Sequence, residues 1–527
     1  PITVGLTTHK AFRTYSIVDE RCAGFFAIGL SQQLDQPVAV LCTSGSALLN
    51  IHPAVSEAFY SRYPIVVISA DRPTYQIDIG NGQTIRQSGV FSKHLISETS
   101  LLQDITHNQS AIIESNTQQL IDVQSTLQEV ESQQKIIEKT NKKYLQNVLY
   151  EMLSQQGPVH VNIPLEEPLY DFHNQIDFEV EQVKQPKNPQ PKILKSILSK
   201  WNESKRILVV VGTLSPDALD AKTISVLAYD PRVVVLHEIT SNLHHHNFIA
   251  HIDRVILPIE KQKNSQEIFQ SLAPDLIITM GGMVVSKKIK SLLRSYKGVP
   301  HHHVGNDRPL DTYYLGVQHL QVDQNSFFSD LTSSTDSKAN YQDQWLHLSQ
   351  QREIAHNSFL ANAPFSDLLV FDKIMRAVPK NYLLHWANSS PIRYAQLFPV
   401  PKDSQSFCNR GTSGIEGSIS TAVGAAVGSD RPTLTITGDL SFFYDSNALW
   451  NQYIPSNFRL IVVNNGGGGI FRILPKAKET PGFETYFEIK HKRTAKHMAK
   501  HYGLSYQIVR TSIGLRLALG RFFSKST

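Results

Sequence analysis

The sequence contains few cysteines and lacks long apolar runs. Cys22, Cys42 and Cys408 lie far apart and form no C-x-x-C pair. The pattern therefore excludes a disulfide framework and a zinc knuckle, and it indicates a reducing compartment, for which the cytoplasm is the default. The most apolar runs, RILVVVGTL and DLIITMGGMVV, are too short to cross a membrane.

The sequence also lacks a large excess of positive or negative charge. The net charge is +5 over 527 residues, without a long basic run, so the sequence does not indicate binding to nucleic acid. A hydrophobic fraction of 41% with 18% charged residues is ordinary for a globular protein. A chain of this length is too long for one hydrophobic core and predicts about three domains.

Short β-branched runs alternate with helical patterns, as in the βαβ units of parallel sheets. The predicted strands of the N-terminal part are PVAVLCTSG, PIVVISADRP and GPVHVNIPLEEP, and those of the middle part are RILVVVGTL, RVVVLHEIT, RVILP and DLIITMGG. We expect an α/β fold with three domains, residues 1–179, 193–330 and 361–527, each a mostly parallel sheet flanked by helices. Residues 180–192, rich in Pro and Lys, predict a linker, and the Gln-rich residues 107–156 predict a solvated helix pair.

Two predicted strands in the C-terminal part end in polar motifs. TLTITGDL ends at Gly438 and Asp439, and RLIVVNN ends at Asn465 before four glycines. Both ends are expected at the carboxyl edge of one parallel sheet, where open α/β folds bind ligands. A carboxylate, a side-chain amide and a glycine-loop carbonyl, here Asp439, Asn465 and Gly467, suit Mg²⁺ that carries a diphosphate. For either motif alone, an ordinary turn or loop is the alternative.

Glu20 is a candidate for acid–base chemistry. In YSIVDERCAGFFAIGL it lies where a predicted strand ends and an apolar-faced helix begins, beside small residues that permit close packing. Its alternatives are an acid that stabilises a helix N-terminus or a partner for Arg21. CTSGSALLNIHP follows the next strand, and its Ser44 and Gly45 form a turn before a helix, a suitable place to hold a cofactor.

Two further polar residues follow the strand PIVVISADRP. Arg72 could form a bidentate ion pair with a substrate carboxylate, or it could form a structural ion pair with Asp71. Gln83, in the Gly-rich loop GNGQTIRQSGVF, could contact a polar substrate group, or it could satisfy the backbone of its own loop.

Several segments together resemble one family of thiamine diphosphate enzymes. They are VDERCAGFFAIGL, CTSGSALLNIHPAVSEAFYSR, ISADRP, GPVHVNIPLEEP, NRGTSGIEGSISTAVGAAVG, TGDLSFFYDSNAL and VVNNGGGGIF. The pattern is similar to that of the synthases that form 2-succinyl-5-enolpyruvyl-6-hydroxy-3-cyclohexene-1-carboxylate in menaquinone biosynthesis. The resemblance covers both outer parts of the chain and is looser in the middle. It implies the thiamine diphosphate-binding fold, with pyrimidine, central and diphosphate domains.

The resemblance also implies roles for individual residues. Glu20 would be the catalytic activator of the cofactor, and Asp439, Asn465 and Gly467 would bind Mg²⁺, which Mn²⁺ can replace. The implied thiamine diphosphate site consists of Glu20, Ser44, Gly45, Ile415, Gly438, Asp439, Leu440, Ser441, Asn465, Gly467, Gly468 and Ile470. The implied substrate site consists of Arg72, Gln83, Lys287, Ser389, Arg393, Arg410, Ile470, Phe471 and Leu474.

The implied activity is that of a transferase. It decarboxylates 2-oxoglutarate and adds the resulting succinyl semialdehyde carbanion to isochorismate. Members of this family work as homodimers or homotetramers in the cytoplasm, without a membrane span. The alternatives are another thiamine diphosphate-dependent 2-oxoacid decarboxylase or carboligase, and a non-catalytic regulatory protein on the same fold. Because a Gly-Ser-Arg motif that the family carries before the position of Pro1 is absent and the last domain is short, we expect both ends to be incomplete.

Overall fold

Strands of buried, β-branched residues organise the chain into three sheets. A computed structural model describes residues 2–115, 120–167, 169, 183, 195–331, 339–474 and 476–524. Its strands are β1 Val38–Cys42, β2 Ile65–Asp71, β3 Ser97–Ser100, β4 Val159–Pro164, β5 Ile207–Val211, β6 Val233–His237, β7 Phe248–Ile249, β8 Leu276–Met280, β9 His301–Val304, β10 Gln318–Leu320, β11 Leu383–Trp386, β12 Gln405–Phe407, β13 Thr433–Gly438 and β14 Phe458–Val463.

Helices connect most of these strands. They are α1 Ile2–Thr8, α2 Glu20–Leu34, α3 Ser46–Asn50, α4 His52–Ser61, α5 Gln109–Glu114, α6 Leu127–Gln155, α7 Lys195–Glu203, α8 Ala221–Tyr229, α9 Ile252–Glu260, α10 Ser265–Ser271, α11 Lys287–Ser295, α12 Gln324–Ser329, α13 Tyr341–Ala361, α14 Asp367–Ala377, α15 Ser390–Ala395, α16 Ser418–Val427, α17 Asp439–Tyr444, α18 Lys496–His501 and α19 Ser512–Ser524. Among the described residues, none of these helices combines the length and the apolar character that a bilayer span requires.

The sheets confirm the expected fold class. Their strand orders are β1-β2-β4-β3, β10-β9-β8-β5-β6-β7 and β12-β11-β13-β14. The pairs of the first two sheets, and the pairs of β11 with β12 and β13, run parallel. In the six-stranded sheet every residue of β5, β6 and β8 is buried, as expected for strands covered by helices on both faces. The protein is therefore an α/β protein built from parallel sheets flanked by helices.

Two expectations about single elements were wrong, and a third was wrong only in part. RVILP, predicted as a strand, lies in α9, because Ile252, Val255, Ile256 and Ile259 recur at helical spacing and bury one helical face. No strand precedes Glu20 among the described residues, since residues 12–19 are irregular. The Gln-rich stretch contains two helices as expected, the short α5 and the long α6, but α6 is not wholly solvated, because its Val148 and Met152 are buried against β2 and β4. Residues 180–192, the predicted linker, lie outside the described residues except for Val183.

The chain divides into two compact units, described separately below. Unit 1 contains residues 1–188, 409–430 and 444–458, and unit 2 contains residues 189–408, 431–443 and 459–527. The sheet of β1 to β4 belongs to unit 1. The six-stranded sheet and, apart from its residue Phe458, the sheet of β11 to β14 belong to unit 2.

Helices α2 and α16 form the tightest contact of unit 1. A Cβ atom added at Gly29 would lie 1.9 Å from the carbonyl oxygen of Thr421, and one added at Gly424 would lie 2.0 Å from the carbonyl oxygen of Phe26. No side chain can be accommodated at these distances, so glycine is required at both positions. The two helix backbones therefore touch directly, which holds residues 418–427 against the N-terminal part of the chain.

We predict that Gly424→Ala lowers the free energy of unfolding by about 2 kcal/mol or more, because the added methyl group forces the two helices apart. The matched control is Gly520→Ala in α19, where an added Cβ has no atom within 4 Å. There alanine should raise stability by up to ~1 kcal/mol through its higher helix propensity. Denaturant unfolding of both variants measures the difference, and equal stabilities would contradict the backbone contact.

Candidate functional site

In unit 2, Asp439 lies against the glycine loop that follows β14. Its side chain is 2% exposed, and its Oδ2 accepts hydrogen bonds from the backbone N–H groups of Gly466 at 2.8 Å and Gly467 at 3.0 Å. Its Oδ1 accepts one from the N–H of Leu440 at 2.8 Å. The structure thus brings the ends of β13 and β14 together, as the sequence predicted. Each carboxylate oxygen offers two lone pairs, so Oδ1 keeps one for a cation.

Asn465 is oriented by a residue that the sequence analysis missed. The carboxylate of Asp367, at the start of α14, accepts a hydrogen bond from Asn465 Nδ2 at 2.8 Å. This bond settles which end of the amide carries the oxygen. The Oδ1 atom of Asn465 is buried and has no hydrogen-bond partner in the described part of the chain. A buried acceptor without a donor is costly, and a bound cation would satisfy it.

These atoms fit a hard divalent cation. A carboxylate oxygen, the partnerless amide oxygen of Asn465 and the carbonyl of Gly467 are the kinds of donor that Mg²⁺ prefers. Gly467 has a φ of +143°, and a Cβ atom there would lie 2.5 Å from the carbonyl oxygen of Glu488. The loop conformation therefore depends on glycine, both for its dihedral angle and for the close approach of the neighbouring chain.

The remaining predicted cofactor residues of unit 2 flank this loop. Gly438 ends β13, and Leu440 and Ser441 lie in the first turn of α17, which begins at Asp439. Gly468 is buried, Ile470 and Phe471 are half-buried, and Leu474 is exposed. Phe471 packs edge-on against Phe487 at 6.2 Å between ring centroids.

The segment around residues 487–491 covers the glycine loop, which the sequence analysis did not anticipate. The carbonyl oxygen of Glu488 accepts a hydrogen bond from the N–H of Gly468 at 2.5 Å, and the N–H of His491 donates to the carbonyl oxygen of Gly466 at 3.0 Å. His491 Nε2 also lies 3.5 Å from Asp439 Oδ2. No local motif in the sequence marks these backbone contacts.

In unit 1, Glu20 is the first residue of α2. Asp19 caps the helix by accepting from the N–H groups of Arg21 and Cys22, so the cap leaves the Glu20 side chain available. Glu20 is half-buried, and its Oε2 accepts a hydrogen bond from Asn50 Nδ2 at 3.3 Å. Burial, and to a lesser extent the charge of Glu20, raises the pKa of the Cys42 thiol to about 12. Glu20 therefore lies near the carboxyl end of β1. Among the described residues it forms no ion pair with Arg21, whose Nη2 donates to the carbonyl oxygen of Tyr444.

The turn at Ser44 and Gly45 is held by a buried glutamine. Gln87 is 1% exposed, and its Oε1 accepts a hydrogen bond from the N–H of Gly45 at 2.9 Å. Its Nε2 donates to Asn162 Oδ1 at 2.8 Å and to the carbonyl oxygen of Ala70 at 3.0 Å. Gln87 thus ties this turn to β2 and β4. Gln87 was not among the predicted site residues, because the family resemblance implied a role for Gln83 in the same loop and none for Gln87.

Arg72 and Gln83 occupy different environments. Arg72 forms an ion pair with Glu167, and its backbone N–H donates to Asp71 Oδ1 at 2.8 Å. The alternative interpretation, a side-chain pair between Arg72 and Asp71, is not observed among the described residues. Gln83 is exposed, with a φ of +57°, and its backbone lies beside Gly45, whose added Cβ would be 3.4 Å from it.

Arg410 and Ile415 lie on the loop that enters α16. Arg410 is 8% exposed and Ile415 is half-buried. An added Cβ at Gly417 would lie 2.3 Å from the ring of Phe25. The loop is therefore seated directly on α2, the helix that begins with Glu20.

Lys287, Ser389 and Arg393 belong to unit 2. Ser389 has a φ of +73°, a strained value for a residue with a side chain, and its carbonyl oxygen accepts from Arg393 Nη1 at 2.7 Å. Lys287 is exposed at the start of α11. Burial raises the pKa of Asp253, which bonds Ser286 next to Lys287, while the nearby charges of Lys288 and Arg393 act in the opposite direction.

Two family models match the chain. The model of the thiamine pyrophosphate enzyme N-terminal TPP binding domain covers residues 1–95, and that of the C-terminal TPP binding domain covers residues 389–526. A solved structure, benzoylformate decarboxylase from Polynucleobacter necessarius, aligns with a TM-score of 0.64 over 98% of this chain and 90% of that chain. At 15% sequence identity this likeness shows the fold alone.

Relatives with the same name match almost the whole chain. Proteins named 2-succinyl-5-enolpyruvyl-6-hydroxy-3-cyclohexene-1-carboxylate synthase are 45% identical in Christiangramia forsetii, over 100% of this chain and 89% of that protein, and 46% identical in Flavobacterium johnsoniae, over 96% and 86%. The protein of that name from Bacteroides thetaiotaomicron is 35% identical over 99% of this chain and 88% of its own length. The chain therefore belongs to the 2-succinyl-5-enolpyruvyl-6-hydroxy-3-cyclohexene-1-carboxylate synthase family of thiamine diphosphate-dependent enzymes.

Proposed function

We propose that the protein is a transferase that decarboxylates 2-oxoglutarate and joins the remaining four-carbon unit to isochorismate, a step of menaquinone biosynthesis. The structural observation that carries this proposal is that Asn465 Oδ1 is buried with no hydrogen-bond partner among the described residues, while the next two residues, Gly466 and Gly467, bind the Asp439 carboxylate. The names of the relatives supply the product, and the family resemblance of the sequence implies the two substrates. We also propose the domain boundaries 1–179, 193–330 and 361–527, a homodimer or homotetramer, and a cytoplasmic location.

Asp439, Asn465 and Gly467 would hold Mg²⁺, and through it the diphosphate of the cofactor. Asp439 is fixed by the two glycine N–H groups, and Asn465 is fixed by Asp367. Because the ligands are oriented before the ion arrives, little conformational freedom is lost when it binds. When bound, thiamine diphosphate supplies the nucleophilic carbon and accepts the electrons left by the departing carbon dioxide.

Glu20 would hold a proton at a pyrimidine nitrogen of the cofactor. Its hydrogen bond from Asn50 restrains the carboxylate without neutralising it. Ile415 would support the bent shape of the cofactor, since it is an apolar side chain on a loop seated against α2. Gly438, Leu440, Ser441, Gly468 and Ile470 would complete the diphosphate site, and Ser44 and Gly45 are further proposed cofactor-binding residues.

The substrates carry several carboxylates, and the proposed contacts are mostly cationic. Arg72, Arg393, Arg410 and Lys287 would bind carboxylate groups, with Gln83 and Ser389 as neutral donors. The pair of Arg72 with the exposed Glu167 would exchange for a pair with substrate. Ile470, Phe471 and Leu474 would exclude water from the reacting carbons.

We expect Glu20→Gln to lower turnover by about a hundredfold or more while the fold is retained, because the amide cannot hold the proton that the carboxylate holds. Glu131→Gln, on the exposed side of α6, is the matched control and should leave turnover unchanged. The measurement is the rate of product formation from 2-oxoglutarate and isochorismate, with circular dichroism as the check on folding. Near-normal turnover in Glu20→Gln would contradict the assigned role.

We expect Asn465→Ala to weaken thiamine diphosphate binding in the presence of Mg²⁺ by about tenfold or more, because the ion loses one ligand. Asn264→Ala is the matched control, since Asn264 is exposed at the N-cap position of α10 and its side chain makes no capping hydrogen bond. Titration calorimetry of each variant, with Mg²⁺ and with EDTA, gives the affinities. Equal losses in the two variants would disprove the proposed ligand set.

A second function, another 2-oxoacid decarboxylase or carboligase, differs in its second substrate. Consumption of 2-oxoglutarate should increase when isochorismate is added, because the four-carbon unit then has an acceptor. Decarboxylation that is indifferent to isochorismate would favour the second function. Absence of both thiamine diphosphate binding and turnover would favour a regulatory protein on the same fold.

A further inference from the structure

The loop that carries Arg410 and Ile415 is closed at its base. We call residues 409–417 the Arg410 loop. Asn409, at its start, donates from Nδ2 to the carbonyl oxygen of Gly417 at 3.3 Å and to Thr421 Oγ1 at 3.0 Å. Asn409 is 7% exposed. The first and last residues of the loop are therefore joined, and the loop enters α16 as one fixed turn.

A fully buried carboxylate from another part of the chain holds the first half of this loop. Glu57, on α4, is 0% exposed. Its Oε1 accepts from the N–H of Gly411 at 2.8 Å, and its Oε2 accepts from the N–H and the hydroxyl of Thr412 at 2.7 and 2.9 Å. Ser61, one turn further along α4, donates its hydroxyl to Oε1 at 2.6 Å. Three of the four donors thus belong to the two residues that follow Arg410.

The loop also lies directly on the α4 backbone. A Cβ atom added at Gly411 would be 2.7 Å from the carbonyl oxygen of Glu57 and 2.8 Å from Ser61 Oγ. The backbone of the loop therefore approaches the helix as closely as glycine allows. The close contact at Gly411 and the hydrogen bonds to Glu57 together restrict the position of the Arg410 backbone.

We propose that Glu57 is a positioning residue that fixes the Arg410 loop for recognition of an acidic substrate. This inference rests on the proposed function, because it assigns Arg410 to a substrate carboxylate. The hydrogen-bond partners of Glu57 given above are Gly411, Thr412 and Ser61. Glu57 would therefore affect substrate binding through Arg410, without contacting the substrate. A carboxylate suits this position because both of its oxygens accept here, Oε1 from Gly411 and Ser61 and Oε2 from Thr412, whereas an amide side chain has only one acceptor atom.

The test compares Glu57→Gln with Ser61→Ala. In Glu57→Gln an NH₂ group faces either Gly411 or Thr412, so one donor opposes another and the loop is released. The KM for isochorismate should rise about tenfold or more, because a small displacement of a binding group is sufficient for such a loss. The kcat at saturating substrate should stay within about threefold. Ser61→Ala removes the one donor outside the loop and should leave the KM unchanged.

Amide hydrogen exchange of the peptide that contains residues 409–417 gives a readout independent of catalysis. The N–H groups of Gly411 and Thr412 should exchange about tenfold faster in Glu57→Gln and at the normal rate in Ser61→Ala. Thr412→Val, which removes only the hydroxyl donor, should raise both the exchange rate and the KM by a smaller factor. This variant decides the question if Glu57→Gln does not fold.

The outcomes separate this proposal from the proposed function. A protein of native sequence that does not use isochorismate shows that the proposed function is wrong, and it removes the substrate role of Glu57 with it. If the native protein is active, unchanged exchange or an unchanged KM in Glu57→Gln, or in Thr412→Val where the first does not fold, overturns the positioning role alone. Equal effects of Glu57→Gln and Ser61→Ala overturn it as well.

Discussion

Buried carboxylates that accept pairs of consecutive backbone N–H groups hold the loops of this protein in place. Asp439 accepts from Gly466 and Gly467, Glu57 from Gly411 and Thr412, Asp445 from Ile419 and Ser420, and Glu238 from Val285 and Ser286. Each of the four is at most 2% exposed. A buried anion is costly without donors, and hydrogen bonds to charged groups are worth about 1.5–3 kcal/mol each. Moving any of these segments would leave a charge uncompensated, so three irregular loops and the first turn of α16, which Asp445 holds, are fixed in position.

This arrangement explains how irregular segments can carry binding groups with fixed geometry. Glu238 holds the two residues before Lys287, and Asp445 holds the first turn of α16, which Ile415 precedes. Asp367 acts similarly on a side chain, because its bond to Asn465 Nδ2 leaves the amide oxygen as the atom for a cation. In each case the residue with the proposed chemistry and the residue that orients it lie on different elements.

The sequence predicted the fold class and indicated candidate ligand-binding residues, but it did not reveal the residues that orient them. Strands such as Val38–Cys42 and Thr433–Gly438 were recognisable because buried parallel strands are continuous β-branched runs. The same rule failed for RVILP, where a β-branched run forms a helix. Asp439 lies in one short motif, and Asn465 and the glycine loop lie in another, so both motifs can be recognised from the sequence. Glu57, Gln87 and Asp367 have no motif, because their partners are remote in sequence and adjacent only after folding.

The direct contact of α2 with α16 has a consequence for the order in which the protein is made. Gly29 leaves the ribosome early and Gly424 late, so the glycine-lined side of α2 has no partner during most of translation. The strands of the six-stranded sheet, by contrast, all lie between Ile207 and Leu320, and α13, whose Tyr341 and Trp345 pack in the core of this sheet, also precedes Gly424 in the chain. Unit 1 can therefore complete its assembly only at the end of synthesis, and until then its N-terminal part exposes an apolar surface of the kind that chaperones bind.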